Sequence, residues 1–191
     1  MRMFRRRSST LDAARVGDRE ALAALWRIHH APLLRYLRSR RTPSPDDVAS
    51  QVWIDVATSI SRFEGDADDF RRWLFTIAHR RSVDQIRQAV RTSAPRSAFA
   101  VRAADHAAGA DVEHEDHDAL DRAVALLATL PDDQAEAVML RVVNDLAIAD
   151  VASVMGISEG NVRVLVHRGL TRLRRKLSVT DAPVATMKRV P

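Results

Sequence analysis

The sequence predicts an all-α protein: two small helical domains joined by a flexible linker, the C-terminal one a helix-turn-helix. Three observations carry that reading. Apolar residues recur every three or four positions through most of the 191 residues, and no stretch alternates apolar and polar long enough to make a strand. From Thr92 to His117 this periodicity gives way to Ser, Ala, Pro, Gly, acids and three His, the composition of a linker. Near residue 156 a glycine separates two short helices with apolar faces. The boundaries read as 1–92, an acidic linker 93–117, 118–178, and a loose tail 179–191. Hydrophobic residues at 46% suffice for a core.

Gly17-Asp18 supplies a helix start, with Leu22, Leu25 and Trp26 at helical spacing behind it. Pro32 is expected to restart the helix ahead of Leu33, Leu34, Tyr36 and Leu37. Ser44-Pro45-Asp46-Asp47 reads as a further start, Ser44 capping and Asp47 closing a capping box. Val48, Val52, Val56 and Ile60 then repeat every fourth residue on a buried face. Phe63-Glu64-Gly65-Asp66 breaks that helix. The next begins near Asp69 and carries Phe70, Trp73, Leu74, Ile77, Val83 and Ile86. After the linker, Leu120, Val124, Leu127 and Leu130 mark one helix, and Ala135, Val138, Met139 and Val142 the next.

Residues 148–167 carry the most information. Val151, Ala152 and Met155 line the inner side of one helix. Ala152 is small where the helices cross. Gly156 can take the positive φ that a tight turn needs. Ser158 caps the second helix, and Val162 and Leu165 pack it back on the first. An apolar stripe of Val162, Val166, Leu170, Leu173 and Leu177 runs on, with Arg163, Arg168, Arg172 and Arg175 largely outside it. In a recognition helix the first residues enter the major groove. Glu159, Asn161 and Arg163 are then candidates for base edges, with Ser158 and Gly160 at the same end, and Arg168, Arg172 and Arg175 for phosphates.

The charge layout agrees. A net charge of +5 resolves into 18 Arg against 11 acids in 1–92, a net +7. Residues 93–117 carry −3 and 118–161 carry −6. Residues 162–178 hold six basic residues and no acid, a net +6. Two basic regions flanking an acidic stretch point to polyanionic partners. Cys is absent, which excludes disulfides, thiolate metal sites and cysteine nucleophiles. No apolar run reaches the ~18 residues of a membrane span, and the basic start Met1–Arg7 is not followed by an apolar stretch, so cytoplasmic localisation is expected. No phosphate loop, nucleophile elbow or His-Glu-x-x-His motif is present. His114 and His117 lack the further ligands and rigid frame of a metal site. No catalytic residue, metal or cofactor is assigned.

Four stretches, in order, resemble the group 4 (extracytoplasmic function) sigma factors of bacterial RNA polymerase. They are Ala31–Arg38, Asp46–Trp53, Phe63–Asp66 through Phe70–Ala78, and Leu130 to Leu177. The resemblance implies a promoter-specific initiation factor with no catalysis of its own. The first domain would bind the β′ clamp of core polymerase through the helix near Asp46, with Asp47, Ser50, Gln51 and Trp53 as the contact residues. It would also hold a flipped base of the −10 element among Phe63, Gly65, Asp66, Phe70, Trp73, His79 and Arg80. The second domain would read the −35 duplex through Ser158, Glu159, Gly160, Asn161, Arg163, Arg168 and Arg172, and rest on the β flap. The linker would lie toward the RNA path, and an anti-sigma factor is implied as partner. The chain departs from the family pattern at Ser50, Gln51, Arg80, Asn161 and Leu165. The alternatives are a stand-alone helix-turn-helix regulator, which would bind duplex tightly by itself, and a nucleic-acid enzyme, which lacks a catalytic constellation.

Overall fold

The structure, a computed structural model, describes residues 10–92 and 122–180. The linker with its three His, Leu120, the basic start and the tail from 181 lie outside the described residues. Every regular element among the described residues is helical. Helix α1 covers 10–15 and brings Leu11 and Ala14 to the core. Helix α2 spans Arg19–Ser39. Its start is as expected: the Asp18 carboxylate accepts from the backbone N–H of Glu20 at 2.8 Å and of Ala21 at 3.1 Å. The expected restart at Pro32 does not occur, because Pro32 lies inside one continuous helix. The missing proline N–H costs one backbone bond. Burial of Ala21, Leu25, Leu33, Tyr36 and Leu37 on one side outweighs it.

Helix α3 spans Pro45–Ser59 and buries Val48, Ala49, Val52, Trp53 and Val56. The capping box expected at its start is absent. Ser44 sits at φ 47 with no side-chain cap bond, whereas a capping side chain needs an extended backbone. The reciprocal cap stands one helix later. Asp66 accepts from the N–H of Asp68 at 2.8 Å and Asp69 at 3.0 Å, and its own N–H reaches the Asp69 carboxylate at 3.1 Å. Helix α4, Ala67–Thr92, therefore begins two residues before Asp69. Phe70, Leu74, Phe75, Ala78 and Ser82 form its buried face.

The second unit comprises α5 (122–127), α6 (Asp132–Val138), α7 (Ile148–Met155) and α8 (Glu159–Thr180). Helix α6 runs into a π turn, Met139–Val143. That wider turn rotates the side chains beyond it. Val142, expected inside, is 53% exposed. The turn between α7 and α8 is as read: Gly156 takes φ 67, and Ser158 Oγ accepts from the N–H of Asn161 at 3.3 Å. Val151, Ala152, Val154 and Val162 are buried. Leu177 is half exposed, so the apolar stripe of α8 outruns the core. The two units pack together, α2 and α4 against α6 and α7, and their buried side chains form one contiguous cluster.

Candidate nucleic-acid interface

Two surfaces in this fold suit nucleic acid, one on each unit. The first is an open cleft of about 440 Å³ where the 60–66 turn meets α4, lined by Ser59, Arg62, Phe63, Glu64, Asp69, Arg72, Trp73 and Thr76. Phe63 and Trp73 stack at 4.9 Å with planes 26° apart. Phe70 lies edge-on to Phe63 at 5.9 Å and is only 1% exposed. It is the floor of the cleft and cannot itself face a base. The Arg15 guanidinium sits 5.3 Å over the Phe63 ring and donates to the Gly65 carbonyl, bracing the turn from α1. Asp66 is occupied as the cap of α4, and the two backbone N–H groups it receives hold its carboxyl below the usual range. Stacked aromatic faces beside arginines suit a single-stranded base, because every base offers a π face.

The second surface is α8. Its first turns point at solvent, with Glu159, Gly160, Asn161, Arg163 and Arg168 all exposed. Arg163 pairs with Glu159 at 2.7 Å along the helix. Arg172, Arg174 and Arg175 are exposed further on. Leu165, expected to pack on α7, is half-buried and lines a cavity against the first unit. A helix about 10–12 Å across fits a major groove about 12 Å wide.

A third surface is the outer face of α3. Asp47 and Ser50 are exposed and Gln51 is half-buried, bonded to Asp55 at 3.4 Å. Trp53, expected on this face, is 9% exposed and belongs to the core. The spacing 47, 50, 51, 54 puts Ile54 on this face instead, and it is 55% exposed. A large apolar residue at helical register with Asp47, Ser50 and Gln51 was the signal available in the sequence.

Comparison with known proteins agrees with this layout. Residues 25–92 match the Sigma-70 region 2 family and residues 120–173 match Sigma-70, region 4. The ECF RNA polymerase sigma factor ShbA of Streptomyces griseus is 32% identical over 169 residues, covering 83% of this chain and 88% of its own. The chain belongs to the ECF RNA polymerase sigma factors. SigD of Mycobacterium tuberculosis, another ECF sigma factor, is 33% identical over 169 residues, 84% of this chain and 79% of its own. Two solved structures share the fold. CnrH, in complex with the cytosolic domain of CnrY, has a TM-score of 0.62 at 20% identity, covering 91% of this chain and 97% of its own. The sigma factor RpoE from Bartonella quintana, in complex with the anti-sigma factor NepR, has 0.59 at 22%, covering 82% and 98%.

In this ECF sigma factor the remaining predicted site residues fall elsewhere. Arg80 is exposed on α4, one turn and more beyond the cleft. His79 is not among the residues lining the cleft. It faces the second unit, its Nδ1 2.7 Å from Glu136 Oε1. Burial, then the neighbouring charges of Arg40 and Arg80, lower its pKa to about 4. The ring is thus neutral and donates Nδ1–H to the carboxylate. The same Oε1 accepts from the Tyr36 hydroxyl at 2.6 Å, and Arg40 donates to Oε2. Glu136 itself is 3% exposed. Sequence reasoning missed this cluster, and it missed Arg62 and Arg72 in the cleft. Arg72 pairs with Asp69 at 2.7 Å and reaches Asp150 of α7 at 3.1 Å. Among the described residues no helix is long and apolar enough to cross a membrane, and no group of three or more His, Cys, Asp or Glu could hold a metal.

Proposed function

We propose that this sigma factor confers promoter selectivity by dividing the work among the three surfaces. The face of α3 bearing Asp47, Ser50, Gln51 and Ile54 docks on core polymerase. The cleft at Phe63 and Trp73 captures a base extruded from the −10 strand, with Arg62 and Arg72 beside the backbone phosphates. The first turns of α8, from Ser158 to Arg163, read the −35 duplex, and Arg168 and Arg172 hold its phosphates. What supports this most is the pairing, in one chain, of a stacked aromatic cleft with a basic helix that follows a glycine turn. The two readers use different physics. Stacking on an aromatic is tolerant of sequence and demands an unpaired base. Groove contacts demand an intact duplex. A protein with both senses the boundary where a promoter opens. Neither reader needs to bind tightly alone, because joining them on one scaffold raises the effective concentration of the second contact.

The reading assigns no catalysis to this chain, which would work in the cytoplasm beside polymerase and DNA. An anti-sigma factor is a further expected partner, since RpoE of Bartonella quintana was solved with one. The test is transcription reconstituted from core polymerase, this chain and a randomised promoter library. Transcripts should start behind a shared pair of sequence elements. Initiation no more selective than that of core alone would overturn the proposal.

A further inference from the structure

Within the first unit, α3 and α4 are pinned to each other by one charged fork. The Arg81 guanidinium of α4 straddles the Asp55 carboxylate of α3, Nε 2.6 Å from Oδ2 and Nη2 2.7 Å from Oδ1. Two parallel, charge-assisted bonds fix the plane of the carboxylate as well as its place. Each group holds the other charged. Arg81 keeps the Asp55 carboxyl below its usual range, and Asp55, with Asp84 adding to it, raises Arg81. The backbone beneath is fixed too, since the Asp55 carbonyl accepts from Ser59 Oγ at 2.7 Å and Thr58 Oγ1 at 3.1 Å. Yet Arg81 is exposed and Asp55 half-buried. Water screens such a pair, which adds little to stability. What a fork at this position supplies is orientation.

The group it orients lies one turn away. Asp55 Oδ1, the oxygen held by Arg81 Nη2, also accepts from Gln51 Nε2 at 3.4 Å. A side-chain amide carries its two donors at one end and its acceptor at the other. With the nitrogen drawn to a fixed anion, the carbonyl oxygen is the end left for an incoming group. Without the anion, the two ends exchange freely. Gln51 shares the outer face of α3 with Asp47, Ser50 and Ile54. Held this way it extends the acceptor begun by the Asp47 carboxylate one turn earlier, and such a face matches a surface that offers donors, arginine or lysine above all.

We infer that Asp55 and Arg81 are positioning residues for docking: their fork holds Gln51 with its amide oxygen outward, where a donor group of core polymerase meets it. This rests on the reading that the outer face of α3 docks on polymerase. Neither Asp55 nor Arg81 has to touch the partner. A side chain ordered before contact spares the complex part of the entropy of ordering it.

Competition calorimetry of the full chain with core polymerase tests the fork, with thermal unfolding of each variant beside it. Gln51→Ala should weaken binding about tenfold, as the loss of a hydrogen bond to a charged donor does. Asp55→Asn, whose amide can donate as well as accept, should weaken it by a similar factor. Arg81→Lys, a point charge without the fork, should weaken it less. Gln51→Ala added to Asp55→Asn should then cost little more, because an undirected amide has already lost its contact. The sharpest variant is the swap of Asp55→Arg with Arg81→Asp. It restores an ion pair between the helices and turns donors toward Gln51, so it should regain the parent's melting temperature and not its affinity. A swap that regains both overturns the positioning role, as does full affinity in folded Asp55→Asn. Should the swap fail to fold, the pair of Gln51→Ala and Asp55→Asn decides: losses that simply add overturn the inference, and losses that overlap support it. Undiminished affinity in Gln51→Ala overturns instead the reading that this face of α3 meets polymerase at Gln51.

Discussion

At the scale of single residues, Gly169 sets the distance between α6 and α8. A Cβ built there would lie 2.7 Å from Val138 Cγ2 and 3.4 Å from the Gln134 carbonyl. Val138 is 2% exposed and has no free space to yield. Gly169→Ala is therefore expected to destabilise the protein by about 1–3 kcal/mol through overpacking. Gly160, in the first turn of the same helix, meets only Ser158 Oγ at 3.9 Å. Gly160→Ala should leave stability unchanged or raise it by up to about 1 kcal/mol, because a helical glycine is the less favourable residue. Urea midpoints of the two variants, measured side by side, check both signs. Trp73 carries the corresponding prediction for the proposed function. Trp73→Ala should weaken open-complex formation by about 1–3 kcal/mol per lost base stack. A holoenzyme footprint on premelted and on fully paired promoters tests this, and the premelted template should not rescue the loss.

At the scale of elements, α8 behaves as a strip of charges on a helix whose apolar side is spent by Leu173. Each arginine that meets a phosphate releases counterions, so Arg172→Ala should reduce the slope of log affinity against log salt by about 1 and weaken all sequences alike. Asn161→Ala should change the order of preferred sequences and leave that slope alone. Quantitative binding of the holoenzyme to promoter variants at several salt concentrations separates the two. The elements also show where the sequence was legible. The Asp18 cap, the Gly156 turn and the Ser158 cap are local devices whose partners lie within a few residues, and each was readable. Pro32, Ser44 and Val142 misled because packing from distant residues, or the handedness of one loop residue, overrode a local preference. The aromatic residues of the cleft were visible as types, but not the division that leaves Phe63 and Trp73 half-buried and sends Phe70 beneath them. Nothing in a linear reading joins Glu136 to Tyr36 across 100 positions.

At the scale of the whole molecule, the two units share a polar seam, and its acid–base behaviour follows. His79 faces Arg40 and Tyr36 from α2, Glu136 and Asp133 from α6, and Arg168 from α8 across the cavity, with Arg80 beside it on α4. Its pKa falls from 6.5 to about 4 on folding. Well above pH 6.5 the ring is neutral in both states and this contribution to stability is complete. As pH falls from 6.5 toward 4, the unfolded chain takes up a proton that the folded one refuses, and stability drops. Denaturant midpoints between pH 7 and pH 4.5 should show this decline, and His79→Gln should flatten it. A longer-range connection runs through the first helix. Arg15 holds the Gly65 carbonyl and caps the Phe63 ring from fifty residues away. The 60–66 turn is thus not a self-contained module that can be transplanted with its flanking helices. A chimaera that grafts 60–75 onto another scaffold without α1 would carry the right letters in an unsupported loop. In a genetic selection for altered −10 preference, substitutions at position 15 should be recovered alongside those in the turn.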